Sequence, residues 1–195
     1  MNPMRNSIQL TLPDWAPAFI ASYPSHLSTL QDRLYFVLAL TRKNIEAKTG
    51  GPFGAAVFET KSGKLISVGV NRVISEQISS AHAEVMALSF AQKKLETYDL
   101  GSSGLPEHQL VVNAHMCAMC LGAVCWSGIK SVVYSATSRD VEKITGFDEG
   151  PLPENTHSAL SSRGIAVTGP FMEKEGIDVL QLYVKEGGVI YNARS

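Results

Sequence analysis

Apolar residues recur along this chain at two periods, and the changes between them mark out its elements. Leu27, Leu30, Leu34, Leu38 and Ile45 fall at helical spacing, and Gly50-Gly51 ends that run. Two short apolar runs follow, 55–59 and 65–70. Thr60-Lys61-Ser62-Gly63-Lys64 separates them, which predicts a β-hairpin with Gly63 in the turn. Ser79 or Ser80 is placed to cap a second helix over 81–95. Residues 109–113 read as a buried strand, 117–127 as a helix and 131–136 as another strand. Beyond them the pattern loosens into a weak helix over 155–163, a strand over 165–168 and a helix over 173–184. The order α-β-β-α-β-α-β-α-β-α predicts an α/β fold, a three-layer α-β-α sandwich with one mixed five-stranded sheet.

The two ends differ in character. Residues 1–26 hold Pro3, Pro13, Pro17 and Pro24, which predicts an extended N-terminal arm without a stable helix, ahead of a folded domain over 27–195. After Gly187-Gly188 the tail Val189-Ile190-Tyr191-Asn192 is apolar and aromatic, and such a tail needs a surface to pack on.

Composition narrows the function classes. Hydrophobic residues make up 45% of the 195 positions, enough for a full core without disulfides. The 17 basic and 18 acidic residues nearly cancel, which argues against a domain that lives on nucleic-acid phosphate. The longest basic pairs, Arg42-Lys43 and Lys93-Lys94, read as solvated helix faces. Neither a signal-peptide core nor an apolar run of about 18 residues is found, so no membrane partner is expected and the cytoplasm is the expected compartment. Cys117, Cys120 and Cys125 fall in one window, a poor disulfide framework that points to metal or thiol chemistry under reducing conditions.

Cys117-Ala118-Met119-Cys120 lets both sulfurs reach one ion from the first turn of a helix, whose free N–H groups favour thiolates. Alone, the pair is equally a redox pair, half of a structural zinc site or ordinary core. His82 alone is an ordinary core histidine, and Glu84 a favourable first-turn charge. Together they give His-x-Glu followed, about 35 residues after His82, by Cys-x-x-Cys. Three protein ligands leave the fourth position of a zinc ion open, as in catalytic sites, and the remaining carboxylate can carry protons. This pairing is a signature of zinc nucleobase deaminases.

On these residues the chain resembles the cytidine and deoxycytidylate deaminase superfamily, and within it the guanine deaminase branch. Gly51-Pro52-Phe53-Gly54-Ala55, Asn71, Ala81-His82-Ala83-Glu84-Val85 and Cys117-Ala118-Met119-Cys120-Leu121-Gly122-Ala123 carry the superfamily match. Trp126-Ser127-Gly128, Gly146-Phe147-Asp148-Glu149-Gly150 and Gly188-Val189-Ile190-Tyr191-Asn192-Ala193-Arg194 resemble bacterial guanine deaminases. The resemblance runs from about residue 27 to the end. It implies one zinc ion per subunit, held by His82, Cys117 and Cys120, with a water or hydroxide as fourth ligand. It implies Glu84 as proton carrier and Glu149 as a second acidic residue that reads the base edge and helps shuttle protons. Substrate contacts are implied at Asn71, Phe53, Ala83, His115 and Tyr191. A homodimer is also implied, domain-swapped where Tyr191 and Asn192 close over the partner's site.

The expected reaction is hydrolysis of guanine to xanthine and ammonia, on a small nucleobase-like substrate. Two alternatives stand beside it. One is the same chemistry on a triazine such as ammeline, on cytosine or on a pterin-like metabolite. The other is an inactive zinc-stabilised binding module. The chain departs from the family at Ala114-His115-Met116-Cys117, where relatives have Glu-Pro or Ser-Pro before the cysteine. In relatives the residue at 115 offers a backbone carbonyl near the departing ammonia, which any side chain can supply. The imidazole itself is new. It reads as a nearby polar group, an extra proton donor, an exposed side chain or a competing metal ligand.

Overall fold

β1 (Gly54–Glu59) and β2 (Leu65–Val70) form the expected antiparallel hairpin, and Gly63 takes the left-handed conformation in its turn (φ +70°). This computed structural model describes residues 6–192; Pro3 of the arm and Ala193 and Arg194 of the C-terminal motif lie outside them. β1 also pairs antiparallel with β3 (His108–Ala114). Parallel pairing then adds β4 (Ser131–Ala136) and β5 (Ala166–Thr168). The result is one mixed five-stranded sheet, in the order β2-β1-β3-β4-β5.

Helices cover both faces. In chain order they are α1 (Ala16–Ala21), α2 (Leu30–Glu46), α3 (Val73–Glu76), α4 (Ala83–Lys94), α5 (Ala118–Ser127), α6 (Ser138–Thr145), α7 (Thr156–Ser161) and α8 (Glu173–Lys185). Successive side chains of a strand point to opposite faces, so β1 serves two cores at once. Ala56 and Phe58 pack with Leu34, Val37, Val179 and Leu180 of α2 and α8. Ala55 and Val57 pack with Ala87, Leu88 and Val124 of α4 and α5. Every residue of β3 is buried, because helices cover both sides of it. Fully burying one such aliphatic side chain contributes about 1.5–3 kcal/mol.

One contact places the helix that carries His82 and Glu84. A Cβ on Gly69 of β2 would lie 2.0 Å from the Ala83 carbonyl oxygen and 2.6 Å from the Ala87 nitrogen. Only glycine lets α4 lie this close to the hairpin.

Several local expectations are corrected. Residues 16–21 are helical where an extended arm was expected; Pro17 falls in the first turn, where its missing N–H removes no bond. That helix is held by packing, with Phe19 and Tyr23 against Phe36 of α2 at ring separations of 5.8 and 5.0 Å. Leu27 precedes α2, whose cap is Thr29, accepting from the Asp32 N–H. α4 begins at His82 and not at Ser79 or Ser80, and has no side-chain cap bond. α3 and α6 were not expected, although Thr137 and Asp140 form a capping box that marks the start of α6. Cys125 is half-buried. Arg42, Lys43, Lys93 and Lys94 are exposed, as their pairs suggested. Among the described residues no helix is long and apolar enough to cross a membrane.

Candidate active site

The site forms where the N-termini of α4 and α5 meet beside the end of β3. His82 is the N-cap of α4 and Cys117 the N-cap of α5, both with extended backbone, so each side chain leaves its helix at the start. Cys120 lies one turn into α5 and is buried. His82 Nδ1 is 3.5 Å from each of the Cys117 and Cys120 sulfurs. All three donor atoms lie within 4.8 Å of one another, and they are the group among the described residues arranged to hold a metal. Tetrahedral zinc, with bonds of about 2.05 Å to nitrogen and about 2.3 Å to sulfur, needs an N···S edge of about 3.6 Å. The residues therefore fit zinc in both donor type and spacing. His115 is outside this group, which removes it as a competing ligand.

The electrostatics of the cluster follow from crowding and burial. The Cys117 thiol is lowered to about 4, chiefly by hydrogen bonding from Cys120, with His82 adding to it against burial. Cys120, the donor in that pair, is pushed up. His82 is raised: burial pulls it down, and the bond to Cys117 with the Glu84 charge outweighs that. Glu84 sits in the first turn of α4, almost wholly buried, and burial with the nearby Cys117 charge raises its carboxyl.

A cavity of about 340 Å³ opens onto these groups. His82, Glu84, Cys117, Phe53, His115, Glu149 and Tyr191 all line it. Phe147 organises the aromatic wall, with ring separations of 5.5 Å to Phe53, 5.0 Å to Tyr191 and 6.2 Å to Tyr183. The loop after α6 is tied to the metal group by the Ala118 N–H, which donates to the Glu149 carbonyl at 2.9 Å. The Glu149 carboxyl is buried, and its Oε2 has no hydrogen-bond partner. Burial above all, then the Cys117 and Glu84 charges, pushes it up to about 9.

Asn71 follows β2 and is buried. Its Oδ1 accepts from the Tyr191 O–H at 2.8 Å and from the Val73 N–H at 3.3 Å, and its buried Nδ2 has no partner. Both bonds end on oxygen, so the free end of the amide is a donor. A Cβ on Gly51 would come within 3.1 Å of that Oδ1, so glycine leaves the amide its room. The Ala83 side chain belongs to the core under α4 and not to the cavity wall. His115 is 8% exposed, which removes the exposed-side-chain reading; burial lowers its imidazole. The tail lies on its own chain's cavity here: Asn192 Oδ1 accepts from the Asp148 N–H, and Asn192 Nδ2 donates to the Gly146 carbonyl, both at 2.9 Å.

Sequence reasoning missed two residues that shape this site. Asn113 accepts from the Gly54 N–H at 2.8 Å and donates to the Pro52 carbonyl at 3.0 Å, fixing the loop that carries Phe53. An amide directly after the apolar run Leu110-Val111-Val112 was the available signal. Phe147 looked like one position in a motif; its three ring contacts join segments that only the fold brings together.

Comparison with known proteins agrees with this geometry. The family model for the cytidine and deoxycytidylate deaminase zinc-binding region matches residues 29–136. A solved guanine deaminase from Nitrosomonas europaea is 46% identical, covering 93% of this chain and 98% of that one with a TM-score of 0.87. The structure of NE0047 in complex with 2,6-diaminopurine is 48% identical, covering 98% and 100%, with a TM-score of 0.88. The guanine deaminase of Bacillus subtilis is 37% identical over 112 residues, 57% of this chain and 67% of that protein.

Proposed function

The chain belongs to the cytidine and deoxycytidylate deaminase family, and from that premise we propose that it hydrolyses guanine to xanthine and ammonia. The observation that carries this reading is the unpartnered, buried Glu149 carboxyl on the same cavity as Glu84 and the His82/Cys117/Cys120 group. A buried polar atom without a partner is costly, and a base edge in the cavity would satisfy it.

His82 Nδ1 and the Cys117 and Cys120 sulfurs would hold zinc, which when bound would supply a water or hydroxide reactive enough to attack near neutral pH. Glu84 takes the proton released by the attacking water and passes it to the ring nitrogen; it then takes the proton of the new hydroxyl as the C=O forms and delivers it to the amine, which leaves as ammonia. Its burial suits this cycle, because a raised carboxyl gives up its proton more evenly with a ring nitrogen than a solvated one does. Glu149, protonated below about pH 9, offers an O–H donor and a carbonyl acceptor to the base edge. Asn71 offers the donor end of its amide. Phe53 and Tyr191 enclose the ring, His115 adds a contact on the cavity wall, and Ala83, whose side chain is in the core, contributes only through its backbone N–H in the first turn of α4.

The same reading makes the protein a cytoplasmic homodimer. Free thiols at Cys117, Cys120 and Cys125 agree with a reducing compartment. Val189 and Ile190 remain exposed on the single chain, 61% and 39%, and a partner would cover them. A domain-swapped dimer would make the tail contacts seen here between subunits. The deciding experiment measures ammonia release by the zinc-loaded protein from guanine, ammeline, cytosine, cytidine and adenosine. Turnover of guanine above the others is expected. No release from any of them, with zinc bound, overturns the reading.

A further inference from the structure

His115 has one ring nitrogen engaged and one free. Nδ1 lies 2.9 Å from the Met116 carbonyl oxygen, an atom that only accepts, so Nδ1 carries the ring proton. In the neutral ring Nε2 is then the lone-pair acceptor. It has no partner among the described residues, it is not sealed from solvent, and it belongs to a residue on the cavity wall.

The ring is also held from behind. Tyr134 of β4 meets it edge to face, with centroids 4.8 Å apart. Tyr134 Oη lies 3.0 Å from Nε2 of His157 on α7, and those two rings stand at 90°. Tyr134 cannot easily swing away, because a Cβ on Gly169 would fall 2.4 Å from its ring and the backbone there packs closely. Below the ring, the His115 N–H donates to the Ala136 carbonyl at 2.8 Å and fixes the main chain.

We propose that His115 Nε2 accepts a hydrogen bond from an N–H of the heterocycle, and that His157 and Tyr134 are positioning residues that aim the ring for it. The proposal rests on the deaminase reading and narrows its substrate class to bases that turn an N–H toward the His115 wall. A carbonyl oxygen or bare ring nitrogen at that place would meet the lone pair and be rejected. Tyr134 and His157 need not touch substrate.

The test uses the zinc-loaded protein with guanine as substrate and 2,6-diaminopurine as binding probe. His115→Phe keeps a ring against Tyr134 and loses the acceptor. It is expected to raise the KM for guanine and the Kd for 2,6-diaminopurine about tenfold, with zinc content retained. His115→Gln, which restores a side-chain carbonyl, recovers part of the loss. Tyr134→Phe cuts the link to His157; it is expected to raise KM about threefold alone and to add nothing in the His115→Phe background. An unchanged KM in His115→Phe, or an equal Tyr134→Phe effect in both backgrounds, overturns the proposal. Should the variants fail to fold, imidazole nitrogen NMR of the unaltered protein decides: Nδ1 protonated, Nε2 bare and moving on saturation with 2,6-diaminopurine. No movement overturns it. Absence of ammonia release by the unaltered protein is a separate result, which sinks the deaminase reading while the NMR shift still decides the His115 contact.

Discussion

The Tyr191 O–H donates to Asn71 Oδ1 at 2.8 Å, so a residue 120 positions along the chain decides which end of the Asn71 amide is free. With oxygen occupied, the buried Nδ2 is the end left without a partner, and the tail decides which end that is. Tyr191→Phe removes the bond and keeps the ring against Phe147. One neutral hydrogen bond is worth about 1 kcal/mol, so KM for guanine should rise roughly fivefold with zinc content unchanged. Steady-state kinetics with metal analysis checks this, and an unaltered KM would show that Val73 alone orients the amide.

Glu84 and the metal group should separate by mutation. Glu84→Gln keeps the shape of a buried side chain and removes the carboxyl proposed to carry protons, so kcat should fall by about 10²–10⁴ while zinc remains bound. Cys120→Ser should instead lose zinc and lower Tm together, because bound metal stabilises the folded state by mass action. Metal content measured beside ammonia release distinguishes the two; loss of zinc from Glu84→Gln would place Glu84 among the groups that hold the metal.

Glu149 gives a pH dependence with a definite sign. Its carboxyl is raised from an ordinary 4.5 to about 9, chiefly by burial, so the folded state holds this proton more tightly than the unfolded chain. The associated stability is fully present below about pH 4.5 and is lost as pH rises through 9. Glu149→Gln cannot ionise, so its Tm should fall less than that of the unaltered protein across that interval. Its guanine turnover should lose the alkaline limb assigned to Glu149. Scanning calorimetry at several pH values is the measurement, and parallel Tm curves for the two proteins would contradict the assignment.

Gly69→Ala tests how the fold positions the site. The added Cβ meets the Ala83 carbonyl at 2.0 Å, so α4 must shift off β2. Overpacking of this kind costs about 1–3 kcal/mol. The shift also moves His82 relative to Cys117, so zinc affinity should fall with Tm. A variant that loses stability but keeps full zinc affinity would show that α4 moves as a unit with α5.

Much of this was legible in the linear sequence because the signals are local. Period-two and helical patterns located all five strands and the long helices, since each element buries one face or both against its neighbours. His82, Glu84, Cys117 and Cys120 were legible because both pairs sit within one helical turn, where spacing alone determines which side chains converge. The short α3 and α6 were missed because few apolar positions support them, and α1 because it is held by aromatic packing on Phe36 that no local pattern records.

What tertiary structure alone decided is polarity and enclosure. The sequence named Asn71, Tyr191, Glu149 and His115 as candidates, but a side chain's donor or acceptor face depends on partners far away in the chain. Tyr191 occupies the Asn71 oxygen, burial keeps the Glu149 proton in place, and the Met116 carbonyl selects the His115 tautomer. Residue types supply the chemistry available to a site; the low-dielectric packing around them fixes which protonation state and which hydrogen-bonding end each presents.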